Sequence, residues 1–173
     1  ARLITVGPVL FIIGLLMSLL AVAMGLPAIA DLATGNPDWQ VFAGSAAVSL
    51  FVGVSLMLTT RSTSMTNLNL RQAFLLTTMS WVAVAAVGAL PFAFSELEIS
   101  VADAFFESMS GITTTGSTII VGLDNAPPGI LLWRALLQWL GGVGIIVMAM
   151  AMLPILSVGG MQLFRTEAFD TPD

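Results

Sequence analysis

Residues 103–118, DAFFESMSGITTTGST, form a polar segment punctuated by glycine between two stretches that are each apolar enough to cross a bilayer. A spanning helix describes this segment poorly, since each of its carboxylates would cost about 3 kcal/mol at the centre of the hydrocarbon. Non-helical backbone at that depth is tolerated only where it is buried in protein or lines a water-filled cavity. The segment is therefore predicted to be re-entrant, with a half-helix followed by extended backbone. Rows of backbone carbonyls in such a place form cation filters, so the segment indicates ion permeation.

The composition of the chain is that of an integral membrane protein. Of its 173 residues, 57% are hydrophobic and 9% are charged, and the mean hydropathy is +1.01; a soluble domain has about 25% charged residues. Cysteine and histidine are absent, which excludes thiolate chemistry and the usual general base and metal ligand. We therefore expect no enzyme and no cofactor. A signal peptide at residues 3–23 is the weaker interpretation, because the apolar stretch exceeds the usual h-region of about 7–15 residues.

Four stretches are long enough to cross a bilayer, which takes about 20 apolar residues in a helix. The predicted spans are residues 6–30, 39–60, 72–94 and 128–153. Asp38 is placed to cap the second span, Pro128 suits the first position of the fourth, and Pro154 is expected to follow its end. The predicted fold class is all-α and integral to the membrane, with four transmembrane helices, one re-entrant pore helix and a filter loop. The predicted domains are an N-terminal transmembrane helix pair (1–66), a helix–pore loop–helix repeat (67–160) and the start of a cytoplasmic interfacial segment (161–173).

The placement of charged residues predicts the orientation. Arginines fall on one side of the predicted spans: Arg2, Arg61, Arg71 and Arg165. Acidic residues fall on the other side: Asp31, Asp38, Glu96, Glu98, Asp103 and Asp124. Short loops rich in arginine stay in the cytoplasm, so we expect a multi-pass protein of the plasma (inner) membrane with both ends of this segment cytoplasmic. A full span at 101–121 would break this pattern. The acidic residues either concentrate cations at the outer entrance or form an ordinary solvated surface.

The local sequence predicts how the re-entrant segment is built. Ser100 and Asp103 have the spacing of a capping box, so a helix should begin at residue 101. Gly111 is suited to end this helix in a left-handed conformation, after about 16 Å. Threonines then disfavour helix, and Gly116 permits a strained φ that turns a carbonyl inwards. Inward carbonyls can replace the water shell of a monovalent cation. The alternative is an ordinary turn rich in threonine and serine.

The sequence DAFFESMSGITTTGSTII, followed by LLWRALLQWLGGVGIIVMAMAMLP, resembles the first pore repeat of the Trk-type potassium transporters, whose relatives include the Ktr and plant HKT proteins. The resemblance is strong over residues 72–167 and weak before them. It implies potassium uptake through a filter, with K⁺ bound in this sequence by Thr114, Thr115, Gly116 and Ser117. A filter glycine accompanies potassium preference in the family, and Gly116 keeps it. The alternatives are a sodium-permeable or weakly selective transporter of the same superfamily and a non-conducting membrane scaffold subunit.

The resemblance also implies partners. Members of the family carry four pore repeats in one polypeptide, whereas this sequence carries one. We therefore expect the remaining three pore repeats in the same polypeptide, and assembly of four copies is the alternative. The resemblance further implies a homodimer in the lipid bilayer, regulated by a cytoplasmic nucleotide-binding subunit. No nucleic-acid partner is expected.

Charged residues near the predicted filter are expected to support it. Glu107 and Arg134 fall in the same half of the membrane and are predicted to pair, because a buried charge normally needs a partner. The alternatives are that Arg134 meets Asp103 or Asp124, or that it extends to the lipid headgroups. The predicted structural support of the pore loop comprises Ser100, Asp103, Glu107, Gly111 and Arg134.

Glycines and tryptophans complete the predicted architecture. Three glycines interrupt the fourth span: Gly141, Gly142 and Gly144. They either allow helices to pack closely or leave room for a cavity or gate below the filter. Trp39 and Trp133 are expected to anchor the chain at the headgroups, whereas Trp81 and Trp139 are expected to pack inside.

Overall fold

In the computed structural model, residues 6–61 and 70–167 are described. The helices are α1 (Gly7–Ala23), α2 (Gly25–Thr34), α3 (Trp39–Thr60), α4 (Leu70–Phe94), α5 (Val101–Ile112) and α6 (Pro128–Glu167), with a 3-10 turn at Leu123–Asn125. These two ranges contain no strand. By length and composition, the helical stretches able to cross a membrane within them are Gly7–Thr34, Trp39–Thr60, Gln72–Phe94 and Pro128–Met150. The architecture is the predicted all-α membrane fold, and α5 is too short to span.

The helices pack against one another along a connected set of contacts. α1 lies against α3 and α4, α2 lies against α3 and α6, and α5 lies between α4 and α6. The crossing of α1 and α3 depends on a glycine from each helix. A Cβ on Gly14 would lie 2.6 Å from the carbonyl oxygen of Gly53, and a Cβ on Gly53 would lie 2.7 Å from the carbonyl oxygen of Gly14. Small residues at such a crossing let the two backbones touch.

The core places Trp133 differently from the sequence prediction. Trp133 is fully buried; its Nε1 donates a hydrogen bond of 2.9 Å to the carbonyl of Gly88, and its ring meets that of Phe42 edge-on at 6.3 Å. It is therefore a packing residue that joins α6 to α4, not a headgroup anchor. Trp139, expected to pack inside, is 67% exposed on the described part of the chain. The prediction for Trp133 was wrong because distance from the end of a span does not show which face of the helix a residue occupies. That Trp139 packs inside stays a prediction.

α6 is longer than predicted. It was expected to end near residue 153, before Pro154, but the helix continues to Glu167. Pro91 likewise lies inside α4. A proline removes one backbone hydrogen bond, yet membrane helices tolerate it because local adjustment and neighbouring groups satisfy the freed carbonyl. The predicted domain boundary between 160 and 161 thus falls inside a helix.

Several connections meet at one end of the bundle, which we call the loop end. Here a hollow is lined by the turn between α2 and α3, the segment after α4 and the segment before α6: Asn36, Glu96, Leu97, Ile120, Val121, Gly122, Asn125, Ala126, Pro127 and Pro128. The chain therefore leaves α4, enters the bundle through α5 and returns to the same end before α6 begins. Residues 115–120 on the return path have no helical structure.

Candidate functional site

α5 begins at the residue that the capping box indicates. Ser100 has extended backbone, with φ −67° and ψ 159°, and its Oγ accepts a hydrogen bond of 3.1 Å from the N–H of Asp103. The same hydroxyl donates to Asp103 Oδ2 at 2.7 Å. The 12 residues of α5 give a helix about 18 Å long. That length carries the chain roughly half way across the hydrocarbon.

The end of α5 differs from the prediction. Gly111 was expected to terminate the helix in a left-handed conformation, but α5 includes Gly111 and ends at Ile112. Gly111 is buried against α6, where an added Cβ would lie 3.2 Å from the Cβ of Leu137. The left-handed residue is Thr114, with φ 59°. The glycine is thus explained by close approach of two helices, which the local sequence alone does not reveal.

Backbone hydrogen bonds fix the turn after α5. The N–H of Thr114 donates to the carbonyl of Gly111 at 2.9 Å, and the N–H of Thr115 donates to that of Ser110 at 3.0 Å. These are the two bonds of a Schellman motif, and they satisfy carbonyls at the helix end. The N–H of Gly116 also donates to the carbonyl of Ser110, at 3.2 Å. A β-branched residue in the left-handed region is an outlier that costs about 1–2 kcal/mol, and such strain is concentrated at functional sites.

Replacing Thr114 by glycine is expected to raise the free energy of unfolding by about 0.5–1 kcal/mol, because the steric cost of the left-handed conformation is removed while chain entropy offsets part of the gain. Thermal unfolding of the purified protein in detergent measures the effect. The matched control is Thr113→Gly: Thr113 has φ −80°, so no strain is relieved and stability should fall. A loss of stability in Thr114→Gly equal to that in the control would contradict the strained turn.

These bonds determine where three carbonyls point. The peptide bonds of the described residues are trans, so each carbonyl points opposite to the N–H of the next residue. Because the N–H groups of Thr114, Thr115 and Gly116 point to the end of α5, the carbonyls of Thr113, Thr114 and Thr115 point away from it. Gly116 follows with φ 80°, a conformation that favours glycine. The result is a short row of carbonyls on the side opposite the pore helix.

The carbonyl of Ser117 is held differently. It accepts a hydrogen bond of 2.6 Å from the buried hydroxyl of Ser110, so it points back towards α5. The four residues proposed from the sequence therefore do not form one uniform row: Thr114 and Thr115 face away from α5, and Ser117 faces it. The sequence prediction did not include Thr113 or Ser110. Their contacts depend on where α5 ends, and that end was placed too early.

Glu107 joins the return path to the helices. It is 1% exposed, and its Oε2 accepts hydrogen bonds from the Thr118 hydroxyl at 3.0 Å and the Ile119 N–H at 3.1 Å. Its Oε1 forms an ion pair with Nε of Arg134, whose side chain is 15% exposed. Of the partners left open for Arg134 by the sequence, the structure has Glu107, while Asp103 bonds to Ser100. One buried carboxylate thus ties together α5, α6 and the segment that leaves the turn.

The three glycines of α6 have unequal surroundings. A Cβ on Gly141 would lie 1.8 Å from the carbonyl oxygen of Ile112, the last residue of α5. A Cβ on Gly142 would meet the methyl group of Thr114 at 3.9 Å, and a Cβ on Gly144 would meet no described atom within 4 Å. The end of α5 therefore packs directly against the backbone of Gly141, which supports the packing interpretation at that position.

Acidic residues at the loop end are not all on the surface. Asp31 and Asp38 are buried, so neither forms a solvated face nor an open entrance. Asp38 directly precedes α3, but its side chain makes no cap hydrogen bond there. Its Oδ1 instead accepts from the N–H of Glu96 at 3.2 Å. The predicted cap was wrong because the Asp38 carboxylate accepts its hydrogen bond from Glu96, which is distant in the chain, and not from the first turn of α3. In the described part of the chain, no cluster of three His, Cys, Asp or Glu side chains is arranged to hold a metal ion.

Comparison with known proteins places the chain in a family. Residues 38–171 match the TrkH family, described as a cation transport protein. The chain is 46% identical over 157 residues to the Trk system potassium uptake protein TrkH of Escherichia coli (strain K12), an alignment that covers 90% of this chain and 32% of the relative. It is 41% identical over 167 residues to the Trk system potassium uptake protein TrkI of Halomonas elongata, covering 96% of this chain and 34% of the relative.

A solved structure agrees with these matches. The crystal structure of the potassium transporter TrkH from Vibrio parahaemolyticus superposes with a TM-score of 0.83 at 41% identity, over 90% of this chain and 33% of that one. The chain thus spans about a third of the length of these relatives. Together with the four apolar helices, the matches indicate a multi-pass membrane protein of a transport family and not an enzyme. The chain belongs to the TrkH family of cation transport proteins.

Proposed function

We propose that this chain supplies one quarter of the selectivity filter of a potassium uptake transporter. The observation that carries the proposal is the row of carbonyls at Thr113, Thr114 and Thr115, which the hydrogen bonds to the end of α5 turn away from the helix. Carbonyl rings of this kind replace the hydration shell of a cation. The relatives named above are potassium uptake proteins, which supports K⁺ as the permeant ion.

The geometry supports some of the proposed ligands more than others. Thr114 and Thr115 are supported as K⁺ ligands by their carbonyl direction. Gly116 is supported by its left-handed conformation, φ 80°, which a residue with a side chain would resist. Ser117 is the least supported through its carbonyl, since Ser110 already bonds to it. We add Thr113 to the proposed set.

A complete pore requires more than this chain. One loop cannot surround an ion, so we propose that three further pore repeats in the full-length protein complete the ring. By family resemblance, the transporter is a homodimer in the plasma (inner) membrane, gated by a cytoplasmic nucleotide-binding subunit. The loop end would face outwards and both ends of this segment would face the cytoplasm, in keeping with the arginine pattern. The membrane potential then drives K⁺ inwards with about 2.3 kcal/mol per charge per 100 mV.

The function is tested by replacing Gly116 with valine in the full-length protein. We expect K⁺ uptake to fall at least about tenfold, because valine resists the left-handed conformation and its Cβ would lie 3.6 Å from Nε2 of Gln138 in α6, which leaves little room for the rest of the side chain. Uptake is measured in cells that lack other K⁺ transporters, with the amount of protein in the membrane determined in parallel. Gly122 provides a matched control: it has φ 72°, and a Cβ there would meet no described atom within 4 Å. Gly122→Val should suffer the same backbone strain and keep most of its uptake.

Two outcomes would favour the alternatives. Equal uptake by the Gly116 and Gly122 variants at normal membrane levels would favour a non-conducting scaffold. If Na⁺ competed with K⁺ on equal terms in the unmodified protein, the weakly selective transporter would replace the potassium assignment.

A further inference from the structure

The start of α6 is held by a side chain from α2. Asp31, in the last turn of α2, is fully buried, and its Oδ1 accepts a hydrogen bond of 2.6 Å from the N–H of Gly129. Gly129 is the second residue of α6, within the first turn, where backbone N–H groups have no partner inside the helix. The residue before α6 is Pro127, whose side chain cannot accept a hydrogen bond. Asp31 therefore caps α6 from another helix, where a carboxylate complements the helix dipole.

The contact between Asp31 and Gly129 is close. A Cβ on Gly129 would lie 2.2 Å from Asp31 Oδ2 and 2.7 Å from Oδ1. Asp31 Oδ2 has no hydrogen-bond partner among the described residues. A buried unpaired oxygen is unfavourable, so the bond from Gly129 to Oδ1 is the polar contact that offsets part of the cost of burying this carboxylate.

A second aspartate bonds to the chain just after α4, although it does not cap a helix N-terminus. Asp38 is 2% exposed, and its Oδ1 accepts from the N–H of Glu96, which lies just beyond the end of α4. Its Oδ2 also has no partner among the described residues. Burial raises the pKa of Asp38, the hydrogen bond from Glu96 opposes this shift, and the charges of Glu96 and Asp31 add to it.

We propose that Asp31 and Asp38 are positioning residues for the filter, acting through the separation of α4 and α6. They flank the short turn between α2 and α3, and each holds the loop end of one of the two helices between which α5 lies. The inference rests on the permeation function proposed above. Neither aspartate belongs to the re-entrant segment.

The packing of α5 explains how the two aspartates would influence the position of the filter. On one side, a Cβ on Gly88 of α4 would lie 2.5 Å from the hydroxyl of Ser108. On the other side, Gly141 of α6 meets the last carbonyl of α5, at Ile112. Since the Ser108 hydroxyl packs against Gly88 on one side and the backbone of Ile112 packs against Gly141 on the other, a change in the separation of α4 and α6 moves α5, and α5 carries the turn that directs the carbonyls.

The test compares asparagine and leucine at each aspartate in the full-length protein. Asparagine keeps the Oδ1 acceptor and removes the charge, whereas leucine keeps a similar volume and removes the acceptor. We expect the asparagine variants to keep the ratio of K⁺ to Na⁺ uptake and the leucine variants to lower it by about tenfold, the effect of losing one strong hydrogen bond. Membrane levels are measured alongside. Asp124→Leu is the matched control, because Asp124 is an exposed acidic residue at the same end and should leave the ratio unchanged.

Each alternative has a distinct result. An equal loss in the asparagine and leucine variants would assign the effect to the negative charge of the side chains. An unchanged ratio in both would assign them a packing role. Either result overturns the proposed positioning role. If a leucine variant does not reach the membrane, amide hydrogen exchange in the unmodified protein decides. Exchange at Gly129 and Glu96 as fast as at Val121, which is 98% exposed, overturns the proposal, and slow exchange at both supports it. An unmodified protein that takes up no K⁺ would contradict the proposed function instead.

Discussion

Glu107→Ala, with Arg134 left in place, is expected to lower the free energy of unfolding by about 3–5 kcal/mol and to abolish K⁺ uptake. The substitution leaves the guanidinium of Arg134 largely buried without its partner and removes the acceptor of the Thr118 hydroxyl and the Ile119 N–H. Thermal unfolding and uptake by the full-length protein measure the two effects. Asp103→Ala is the matched control, since it removes the other carboxylate of α5, which bonds only near the helix start; it should cost about 1 kcal/mol.

A double variant separates stability from positioning. Replacing Glu107 and Arg134 together by leucine removes both charges, and such replacements of buried ion pairs are often neutral for stability. The N–H of Ile119 still lacks its acceptor, so we expect near-normal unfolding with uptake that remains low. If uptake recovered together with stability, the hydrogen bonds of Glu107 to Thr118 and Ile119 would not be needed for uptake. If Glu107→Ala cost no more than Asp103→Ala, the buried ion pair described above would be contradicted.

Gly141→Ala is expected to be the most damaging single methyl group in α6. The new Cβ would lie 1.8 Å from the carbonyl oxygen of Ile112, whereas real Cβ atoms essentially never approach closer than 3.0 Å. That oxygen belongs to the backbone, so a rotamer change cannot relieve the clash, and α5 or α6 must move. Overpacking of this kind costs about 1–3 kcal/mol or more. We expect reduced K⁺ uptake and loss of discrimination against Na⁺, since the displaced residue directly precedes the turn.

Gly144→Ala provides the control on the same helix. A Cβ there meets no described atom within 4 Å, so stability should change by less than about 0.5 kcal/mol. Uptake, the Na⁺ to K⁺ ratio and thermal unfolding are compared for the two variants. If the two variants had equal uptake, ion ratio and stability, the end of α5 would not pack against Gly141. That result would favour the cavity or gate interpretation of the glycines.

The sequence predicted those features that local interactions determine. Ser100 and Asp103 cap α5 through bonds between residues three positions apart, and Pro128 begins α6 where its missing N–H is least costly. The apolar lengths predicted the spans, because the thickness of the hydrocarbon sets them. The re-entrant path followed from the cost of carboxylates in lipid. Each of these rests on a short-range or compositional rule.

The features that were missed depend on tertiary contacts. The turn at Thr114 could not be read from propensity, because threonine disfavours the left-handed conformation that the structure imposes. Gly111 was misassigned since its neighbour Leu137 lies on another helix. Asp38 and Trp133 were likewise placed by partners that are distant in the chain, Glu96 and Gly88. Periodicity shows that a face is apolar but does not show what covers it.

The length of α6 carries a mechanical consequence. Its 40 residues give a helix about 60 Å long along its path, roughly twice the thickness of the hydrocarbon. The helix that packs against the end of α5 at Gly141 therefore continues beyond the bilayer on the side away from the loop end. A displacement of that outer part would be transmitted along α6 to the contact with the re-entrant helix.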